Sequence, residues 1–454
     1  MHKNRIRVKT KHRLKDGSYV LYWMQHTQRL RGNFALEAAI SYANKIQKPL
    51  KLLFVLTPNF KDANLRHYAF MLEGVQDVAS QCEALNIDFC LEVGEFEAVL
   101  KDYLNAASLL VLDDAYMPFM VDVKKKITAY ADGLNVPVIQ VFSDTIVPVD
   151  QASQKCEYSA RTIRKKLHQQ VDAFLAEASI SKVKVGTSQA KPVDIDALLK
   201  KIDIDRSVLP SKYFKGGETE AYKRLDDYLE CCLKDYHDSS DPGKDVTSKL
   251  SPYLHFGQIS PIDMYQMIST YIDTYPEAVE ALIEQLLVRR ELAFNFVTYC
   301  EGFDRFETMT YGWAYETMAV HRDDRRTYLY SEEDYIAAKT HDVYFNAAMI
   351  EMVETGFMHN TMRMYWGKKI IEWSEDYETA YAMILKLNNR YFIDGRDPVS
   401  YASVAWLFGR HDRAWQSREI FGKLRYMNDK GLKRKYDMDR YLKRMEDVKS
   451  DSDS

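Results

Sequence analysis

The sequence predicts an α/β domain followed by an all-α domain. Strand-like and helix-like stretches alternate over residues 1–150, a pattern typical of βαβ units in a doubly wound parallel sheet. From about residue 216, apolar residues recur with a 3.6-residue period in stretches such as AVEALIEQLLVRRELAFNFVTY, which indicates helices. Residues 151–215 are more polar and less regular, so we expect a connector between the two domains.

Five apolar runs supply the predicted strands: SYVLYWM (18–24), LKLLFVLTP (50–58), IDFCLEVG (87–94), ASLLVLDDAY (107–116) and VPVIQVFS (136–143). Strands without polar alternation are typical of a parallel sheet that helices cover on both faces. Helical stretches such as GNFALEAAISYANKIQ separate them. Because no GxGxxG or GxxxxGK[ST] motif follows a strand, the standard phosphate-binding signatures are absent. The point where the strand order reverses stays open to a nucleotide-like ligand.

The amino-acid composition limits the classes of protein to which this chain can belong. Hydrophobic residues make up 46% and charged residues 28% of the 454 residues, as in soluble globular proteins. The net charge of −4 gives no overall sign of nucleic-acid binding, although a local basic patch would suffice. The six cysteines lack metal-ligand spacing, so we expect reduced thiols and no metal site. No apolar run reaches membrane-spanning length and no signal peptide precedes the first strand, which predicts a cytoplasmic protein.

The stretch MHNTMRMYWGKKIIEW (358–373) raises a question about its aromatic residues. One helical face would carry Met358, Met362, Trp366, Ile370 and Trp373, and core packing alone accounts for such a face. Arg363 falls near its edge, however, and a buried arginine needs an acid partner.

A candidate partner for this arginine lies in the turn DGRDP, which offers Asp394 and Asp397. Asp, Gly and Pro at adjacent positions are typical of a tight turn between helices. Such a turn can simply be solvated, or it can hold a carboxylate against a ligand with Arg363 beside it.

Two further stretches suggest anion binding. TSKLS (247–251) brings hydroxyls and backbone N–H groups together before a helix, as a phosphate requires, although a plain N-cap is the commoner use. AWLFGRHDRAW (405–415) interleaves tryptophan with arginine, a composition that suits stacked bases and phosphates. The basic run at 423–444 follows it. That run is either a solvated face or a track for DNA phosphates.

Taken in order, these stretches resemble the class II cyclobutane pyrimidine dimer photolyases of the photolyase/cryptochrome superfamily. The similarity spans nearly the whole chain: LYWMQHTQRLRGNFAL, TSKLSPYLHFGQIS, LLVRRELAFNF, AKTHDVYFNAA, GFMHNTMRMYWGKKIIEW, DGRDP and HDRAWQSREIFGKLRYMN. The resemblance implies an antenna domain in residues 1–150, a connector in 151–215 and a helical FAD-binding catalytic domain in 216–454. It leaves open a second, antenna chromophore of the deazaflavin or folate type.

The resemblance also implies roles for individual residues near the flavin. The cofactor would be held by Tyr236, Thr247, Ser248, Lys249, Leu250, Ser251, Asn360, Arg363, Asn388, Asp394 and Asp397. Arg363 and Asp394 would form an ion pair beside the isoalloxazine, and Asn388 would face flavin N5. Trp366 would be the first donor of an electron wire to the flavin, whereas Trp373 is expected to be structural.

On the DNA side, the resemblance places Trp406 beside the flipped dimer and Gln285 in contact with it. The predicted DNA-binding residues are Trp406, Arg410, Arg413, Trp415, Lys433 and Arg434. The implied reaction is light-driven: reduced FAD gives an electron to a pyrimidine dimer in UV-damaged DNA, and the cyclobutane ring splits. No protein partner is implied, and we expect a monomer.

Several residues depart from the family pattern. Phe345 takes the place of a common tryptophan, which would cut the wire or reroute it through Tyr344 or Tyr365. Gln285 replaces an expected glutamate, and Phe294 an aspartate. Val399-Ser400 replaces Asn-Gly, and the 405–415 stretch is one residue short. Two alternatives therefore remain: a photolyase-like flavoprotein with another substrate or a light-signalling role, and a generic nucleotide-binding α/β protein without photochemistry.

Overall fold

The computed structural model describes residues 2–176, 178–186 and 192–453. In these ranges six strands form one sheet in the order β1-β6-β5-β2-β3-β4. Every neighbouring pair is parallel except β1 and β6, which run antiparallel. The strands are β1 (Ile6–Val8), β2 (Tyr19–Trp23), β3 (Leu50–Leu56), β4 (Asp88–Val93), β5 (Ala107–Leu112) and β6 (Val138–Val141).

The sheet confirms the predicted α/β class. The five predicted runs each supply a parallel strand, whereas β1 was not predicted because three residues within a basic segment are too short to show a period. Successive residues of β2 pack on opposite faces: Tyr22 joins one core cluster and Trp23 another. Helices cover both faces of the sheet: α1 (Phe34–Ile46), α2 (Leu65–Cys82), α3 (Phe96–Leu104) and α4 (Pro118–Gly133).

The rest of the described chain is helical. The expected connector begins with short helices, among them α6 (Ala160–His168) and α7 (Val171–Phe174), with a break at Gln169 and Gln170. The helices are α5 (Val149–Ala152), α6 (Ala160–His168), α7 (Val171–Phe174), α8 (Ile195–Lys201), α9 (Glu218–Cys231), α10 (Ser251–His255), α11 (Pro261–Ser269), α12 (Pro276–Ile283), α13 (Arg290–Tyr299), α14 (Gly312–Val320), α15 (Glu332–Ile336), α16 (Val343–Ile350), α17 (Asn360–Trp373), α18 (Tyr377–Tyr391), α19 (Pro398–Leu407), α20 (Asp429–Lys435) and α21 (Met438–Asp453).

Two π-helical turns interrupt this helical part, at Glu284–Arg289 and Glu351–Thr355. Each lies at the end of an α-helix, the first after α12 and the second after α16. Such turns occur frequently at functional sites. The first contains the predicted dimer contact Gln285, and the second contains a buried acid, Glu351.

The strand order of the sheet reverses between β2 and β5, and side chains and backbone groups of the protein contact one another at the ends of these two strands. The carboxylate of Asp113 accepts backbone N–H groups of Gln25, His26 and Thr27 at 2.7–2.9 Å, and it pairs with the buried Lys124. An ionised carboxylate only accepts hydrogen bonds, and these backbone N–H groups and Lys124 are donors that an anionic ligand at this place would otherwise need. Asp113 therefore fixes the segment after β2 to the end of β5, and a nucleotide-like ligand at this point stays a prediction.

Buried hydrogen bonds from charged side chains also attach the helical part to the α/β part. Glu291 of α13 accepts the backbone N–H of Ile146 and of Val147, just beyond β6. Burial raises the pKa of Glu291 to about 8. The adjacent Arg290 donates to the carbonyl of Asp144 at 2.7 Å. These contacts fix α13, and with it the neighbouring π-helical turn, against the α/β part.

The expectation that the cysteines are all reduced thiols is wrong for two of them. Cys156 and Cys300 form a disulfide across 144 residues of sequence, whereas Cys82, Cys90, Cys231 and Cys232 are free. Sequence spacing could not reveal the pair, because the fold alone brings Cys156 beside the end of α13. Within the described ranges, no helix has both the length and the hydropathy needed to cross a bilayer.

Candidate functional site

The predicted pair of Arg363 and Asp394 is present. Nη2 of Arg363 donates to both carboxylate oxygens of Asp394 at 3.0 Å, while Nε donates to the carbonyl of Met358 at 3.0 Å. The guanidinium lies 3.9 Å above the ring of Phe392. With 21% and 8% of their side chains exposed, both charges are partly withdrawn from water, so each depends on the other.

The turn between α18 and α19 holds the second predicted acid as well. Asp397 accepts the N–H of Val399 at 2.8 Å and so caps α19, and it lies 3.1 Å from Nδ1 of His255. Burial would raise the pKa of Asp397, but His255 and Arg290 outweigh burial and lower it. Sequence reasoning missed His255, because a lone histidine in PYLHFG carries no spacing signal.

The predicted phosphate-binding stretch contains an unsatisfied buried group. The hydroxyl oxygen of Thr247 is buried and has no hydrogen-bond partner in the described part of the chain. Lys249 pairs with Asp245 at 2.7 Å, and both residues adopt a left-handed backbone with φ of 53°. Ser251 begins α10, which has only five residues, so the buried Thr247 hydroxyl is the stronger indication of a ligand site.

Hydrogen bonds and ion pairs connect the segments that carry the predicted cofactor residues. The ring nitrogen Nε2 of His359 lies 2.9 Å from the carbonyl of Ser239, and the Thr361 hydroxyl donates to the carbonyl of Ser240 at 2.7 Å. The chain just after the half-buried Tyr236 is thereby attached to the start of α17. The Arg363–Asp394 and His255–Asp397 pairs join α17 and α10 to the turn before α19.

Two other predicted cofactor residues differ in exposure. Asn388 on α18 is 4% exposed, and its NH2 group donates to the side-chain oxygen of Asn389 at 3.1 Å. That contact fixes the orientation of the amide. Asn360, the first residue of α17, is exposed. Its role at the cofactor stays a prediction.

Arg444 was assigned by sequence to a basic run, yet it faces the interior. Its guanidinium lies 3.6 Å from Asp245 and 3.7 Å from Glu351. Glu351 also accepts from Tyr441 at 2.8 Å. Helix α21 therefore supports the stretch that contains Thr247, a role that a count of basic residues could not distinguish from DNA binding.

Trp366 lies beside the Arg363 pair. It is 2% exposed, its indole N–H donates to the sulfur of Met349 at 3.0 Å, and its ring centroid is 6.2 Å from that of Phe392. Phe392 thus contacts both Arg363 and Trp366. The role of Trp366 as the first donor of an electron wire to the flavin stays a prediction.

Four side chains from the end of α19 and from the segment after it form a cluster, which we call the Trp406 cluster: Trp406, Asp412, Trp415 and Arg425. The guanidinium of Arg425 lies 5.2 Å from the Trp406 ring and 4.3 Å from the Trp415 ring, and Asp412 accepts from Arg425 at 2.9 Å. Both tryptophans are partly exposed. The cluster presents two partly exposed flat rings with a guanidinium beside both, which suits a base stack.

Comparisons with known proteins agree with this arrangement. The DNA photolyase family profile matches residues 20–183. The chain is 42% identical to a deoxyribodipyrimidine photo-lyase of Methanothermobacter thermautotrophicus, over 94% of this chain and 95% of that protein. It is 38% identical to one of Potorous tridactylus, over 92% and 79%.

The chain belongs to the DNA photolyase family. Its fold is also that of a class III photolyase from Agrobacterium tumefaciens, with a TM-score of 0.74, 18% identity and coverage of 95% of this chain and 87% of that one. A cryptochrome from Synechocystis is similar, with a TM-score of 0.72, 18% identity and coverage of 94% and 88%.

The structure shows where the residues that depart from the photolyase pattern lie. Phe294 is fully buried, with its ring 4.6 Å from that of Tyr116, so it packs between the α/β and helical parts. Val399 is 37% exposed at the start of α19. Gln285 is exposed in the π-helical turn, beside Glu284, which pairs with Arg164 and Arg289.

The predicted DNA contacts of this photolyase differ in accessibility. Arg413 is exposed and lies 4.7 Å from the Trp415 ring, and Lys433 and Arg434 are exposed on α20. Arg410 is only 6% exposed. A phosphate could not reach its guanidinium in this conformation, so a direct DNA contact by Arg410 is not supported.

Lys368 is a buried cation that sequence reasoning left unassigned. Its ammonium donates to the carbonyl of Leu407 and lies 5.6 Å from the Trp406 ring. The preceding Gly367 permits the contact, because a Cβ there would lie 2.3 Å from a methyl group of Leu407. Burial lowers the pKa of Lys368 to about 7.

This pKa predicts a pH-dependent stability. Between pH 7 and about 10.5 the unfolded chain keeps a proton that folded Lys368 has lost, so the free energy of unfolding should rise with pH by up to about 1.4 kcal/mol per unit. A Lys368→Met variant should lack this rise. Urea unfolding at pH 7.5 and 9.0 measures it, with Lys430→Met, an exposed lysine, as control. Equal pH slopes in the natural chain and Lys368→Met would contradict the prediction.

Proposed function

We propose that this protein is a deoxyribodipyrimidine photo-lyase, which uses FAD and blue light to split cyclobutane pyrimidine dimers in DNA. One observation carries the proposal: Arg363 pairs with Asp394, and His255 of α10 contacts Asp397 in the same turn, so the stretch before α10 that contains the buried Thr247 hydroxyl is tied to this turn. It is supported by identities of 42% and 38% to two relatives of that name. We further propose a cytoplasmic monomer with domains 1–150, 151–215 and 216–454, in which a second chromophore could act as an antenna.

The residues present fit a flavin dinucleotide. A buried hydroxyl without a partner is costly unless a ligand uses it, and Thr247 with its neighbours would hold the phosphates. Arg363 and Asp394 would lie beside the ring system, and Asn388 presents a fixed amide. When bound and reduced, the cofactor supplies a light-driven electron to the dimer, while the protein positions it and sets the local charge.

The Trp406 cluster would receive the dimer. A dimer pairs poorly with the opposite strand, so extruding it from the duplex costs less than extruding an intact pair. An indole then replaces the lost stacking. Lys368 and Arg425 pack near the Trp406 ring at 5.6 and 5.2 Å, and the Arg425 guanidinium adds a cation–π contact that holds the plane of the ring.

Exposed basic residues near the cluster would hold the DNA backbone. Each phosphate contact adds about 0.9 to the slope of log K against log salt, so a double variant with Lys433→Gln and Arg434→Gln should reduce that slope by about 2. Fluorescence anisotropy with a dimer-containing duplex at several salt concentrations measures it. Lys101→Gln, an exposed lysine on α3, serves as the control. An unchanged slope in the double variant would remove α20 from the interface.

The proposed function is tested by measuring whether blue light repairs a thymine dimer in the presence of the protein. Purified protein, loaded with FAD and photoreduced, is mixed with a thymine-dimer oligonucleotide and illuminated with blue light. We expect the thymine absorbance to recover in the light and not in the dark. A loaded protein that photoreduces its flavin without any recovery would contradict the proposal. That result would favour the light-signalling alternative, to which Gln285 and Phe345 already point.

A further inference from the structure

The disulfide between Cys156 and Cys300 lies at a junction between three segments. Cys156 is in the loop between α5 and α6, and Cys300 is the residue that follows α13. Nη2 of Arg410, from the segment after α19, lies 2.6 Å from the sulfur of Cys156 and 3.0 Å from that of Cys300. One guanidinium therefore contacts both members of the pair.

Arg410 connects the cysteine pair to the proposed DNA surface. Its guanidinium lies 4.4 Å from the Tyr311 ring, and that ring stacks on Tyr158 at 4.2 Å. His411, next to Arg410, has Nδ1 2.9 Å from the carbonyl of Tyr158. Tyr158 follows Cys156 by two residues, so both sides of this joint are tied to the cysteines. The joint holds the segment 409–415, which ends at Trp415.

The pair is reachable and chemically distinct from the other cysteines. Both Cys156 and Cys300 are partly exposed, and Cys300 lines an open cavity of about 620 Å³. A neighbouring arginine favours a thiolate, the reactive form of cysteine. Cys82, in contrast, is fully buried, and burial raises its pKa to about 12.

We propose that Cys156 and Cys300 are a reversible redox pair whose state determines how firmly the DNA-binding segment 409–415 is held. A hydroperoxide is a sufficient oxidant. One thiolate attacks the peroxide, which leaves a sulfenic acid and releases water or an alcohol. The second thiol then displaces water from the sulfenic sulfur, so that two thiols lose two electrons and two protons in total. A dithiol reverses the step by exchange.

Oxidation should tighten DNA binding, and this part rests on the proposed function. With the bond closed, the loop after α5 and the end of α13 together present two sulfurs to Arg410. With the bond open, the loop moves independently, and the segment 409–415 loses part of its support. Because an ordered binding segment costs less entropy to immobilise, we expect the Kd for a dimer-containing duplex to rise about 3- to 10-fold on reduction.

The test uses the full chain treated with hydrogen peroxide or with dithiothreitol. Proteolysis without reductant, followed by mass spectrometry, should find a linked Cys156–Cys300 peptide after peroxide and free peptides after dithiothreitol. Anisotropy then gives the Kd of each state for the duplex. Cys156→Ser should bind with one Kd under both treatments, whereas Cys90→Ser, a partly exposed free cysteine, should keep the two-state behaviour.

The outcomes separate the redox pair from the proposed function. If the peptides that contain Cys156 and Cys300 stayed unlinked after peroxide, the proposal that they are a redox pair would be wrong. A linked peptide with equal Kd values in both states would overturn the coupling to segment 409–415. If neither state binds DNA, the proposed function fails, and the peptide result alone decides whether the pair is redox-active. Since the peptide map of the natural chain needs no variant, a misfolded Cys156→Ser protein would not weaken the test.

Discussion

An Asp394→Ala variant should bind FAD about 100-fold more weakly than the natural chain, a loss of about 2.7 kcal/mol. Asp394 accepts two hydrogen bonds from Arg363, and only 8% of its side chain is exposed. Removing the acid leaves a partly buried guanidinium without its partner. That guanidinium would then turn toward water and disturb the ring of Phe392, 3.9 Å away. Flavin content after purification and fluorescence titration of FAD into apoprotein measure the loss.

A matched control separates the site from a general loss of charge. Glu378 on α18 pairs with Arg322 at 2.8 Å, but 41% and 52% of the two side chains are exposed. Exposed pairs contribute about 0–1 kcal/mol, so Glu378→Ala should keep its flavin. If Asp394→Ala were fully loaded and Glu378→Ala equally so, Arg363 and Asp394 would be structural, and the cofactor site would have to lie elsewhere.

A Phe345→Trp variant should reduce its bound flavin under light on the order of tenfold faster than the natural chain. Phe345 and Met349 lie one turn apart on α16, and they contact Trp373 and Trp366 respectively, at 5.1 Å between rings and 3.0 Å from nitrogen to sulfur. A phenyl ring is much harder to oxidise than an indole. An electron hole on Trp366 therefore cannot pass through position 345 to Trp373, and the Phe345→Trp substitution would supply an indole at that position.

The gain must be distinguished from a change in packing. Phe345 is fully buried, so the larger ring should cost about 1–3 kcal/mol of stability. Phe303→Trp makes the same enlargement in the same helical core, next to Phe296 and Tyr401, and should not accelerate photoreduction. Adding Trp366→Phe to the Phe345→Trp variant should abolish the gain. Time-resolved absorption of tryptophan radicals gives a second readout. A rate unchanged by Phe345→Trp would mean that the wire runs through other rings.

The neighbours of Trp373 offer such a route. Its ring lies 5.4 Å from that of Tyr330, whose hydroxyl is 2.6 Å from Nδ1 of His341. Tyr365, one of the two tyrosines suggested by the sequence, donates to Asp342. A tyrosine with a proton acceptor in place can be oxidised without building up positive charge. The natural chain thus retains aromatic side chains around Trp373 even with Phe345.

Sequence alone determined the class of the fold and supplied the candidate residues of the site. Five apolar runs without alternation required a parallel sheet covered on both faces, because only burial on both sides suits such strands. A rule about buried charge required an acid partner for Arg363, because it lies near an apolar stripe. DGRDP offered Asp394 and Asp397, and the resemblance to the family selected Asp394. The order of the motifs indicated the photolyase family, which the relatives confirm.

Tertiary structure decided what depends on distance in space rather than along the chain. The helical period places a residue on a face but cannot say which segment packs against it. For this reason sequence could not show that Arg444 turns inward to Asp245, that His255 meets Asp397, or that Arg410 is buried. The pairing of Cys156 with Cys300 is of the same kind, since 144 residues separate them. The sequence therefore shows which chemical groups a segment carries. The partner of each charged or thiol group depends on how helices that are far apart along the chain pack together.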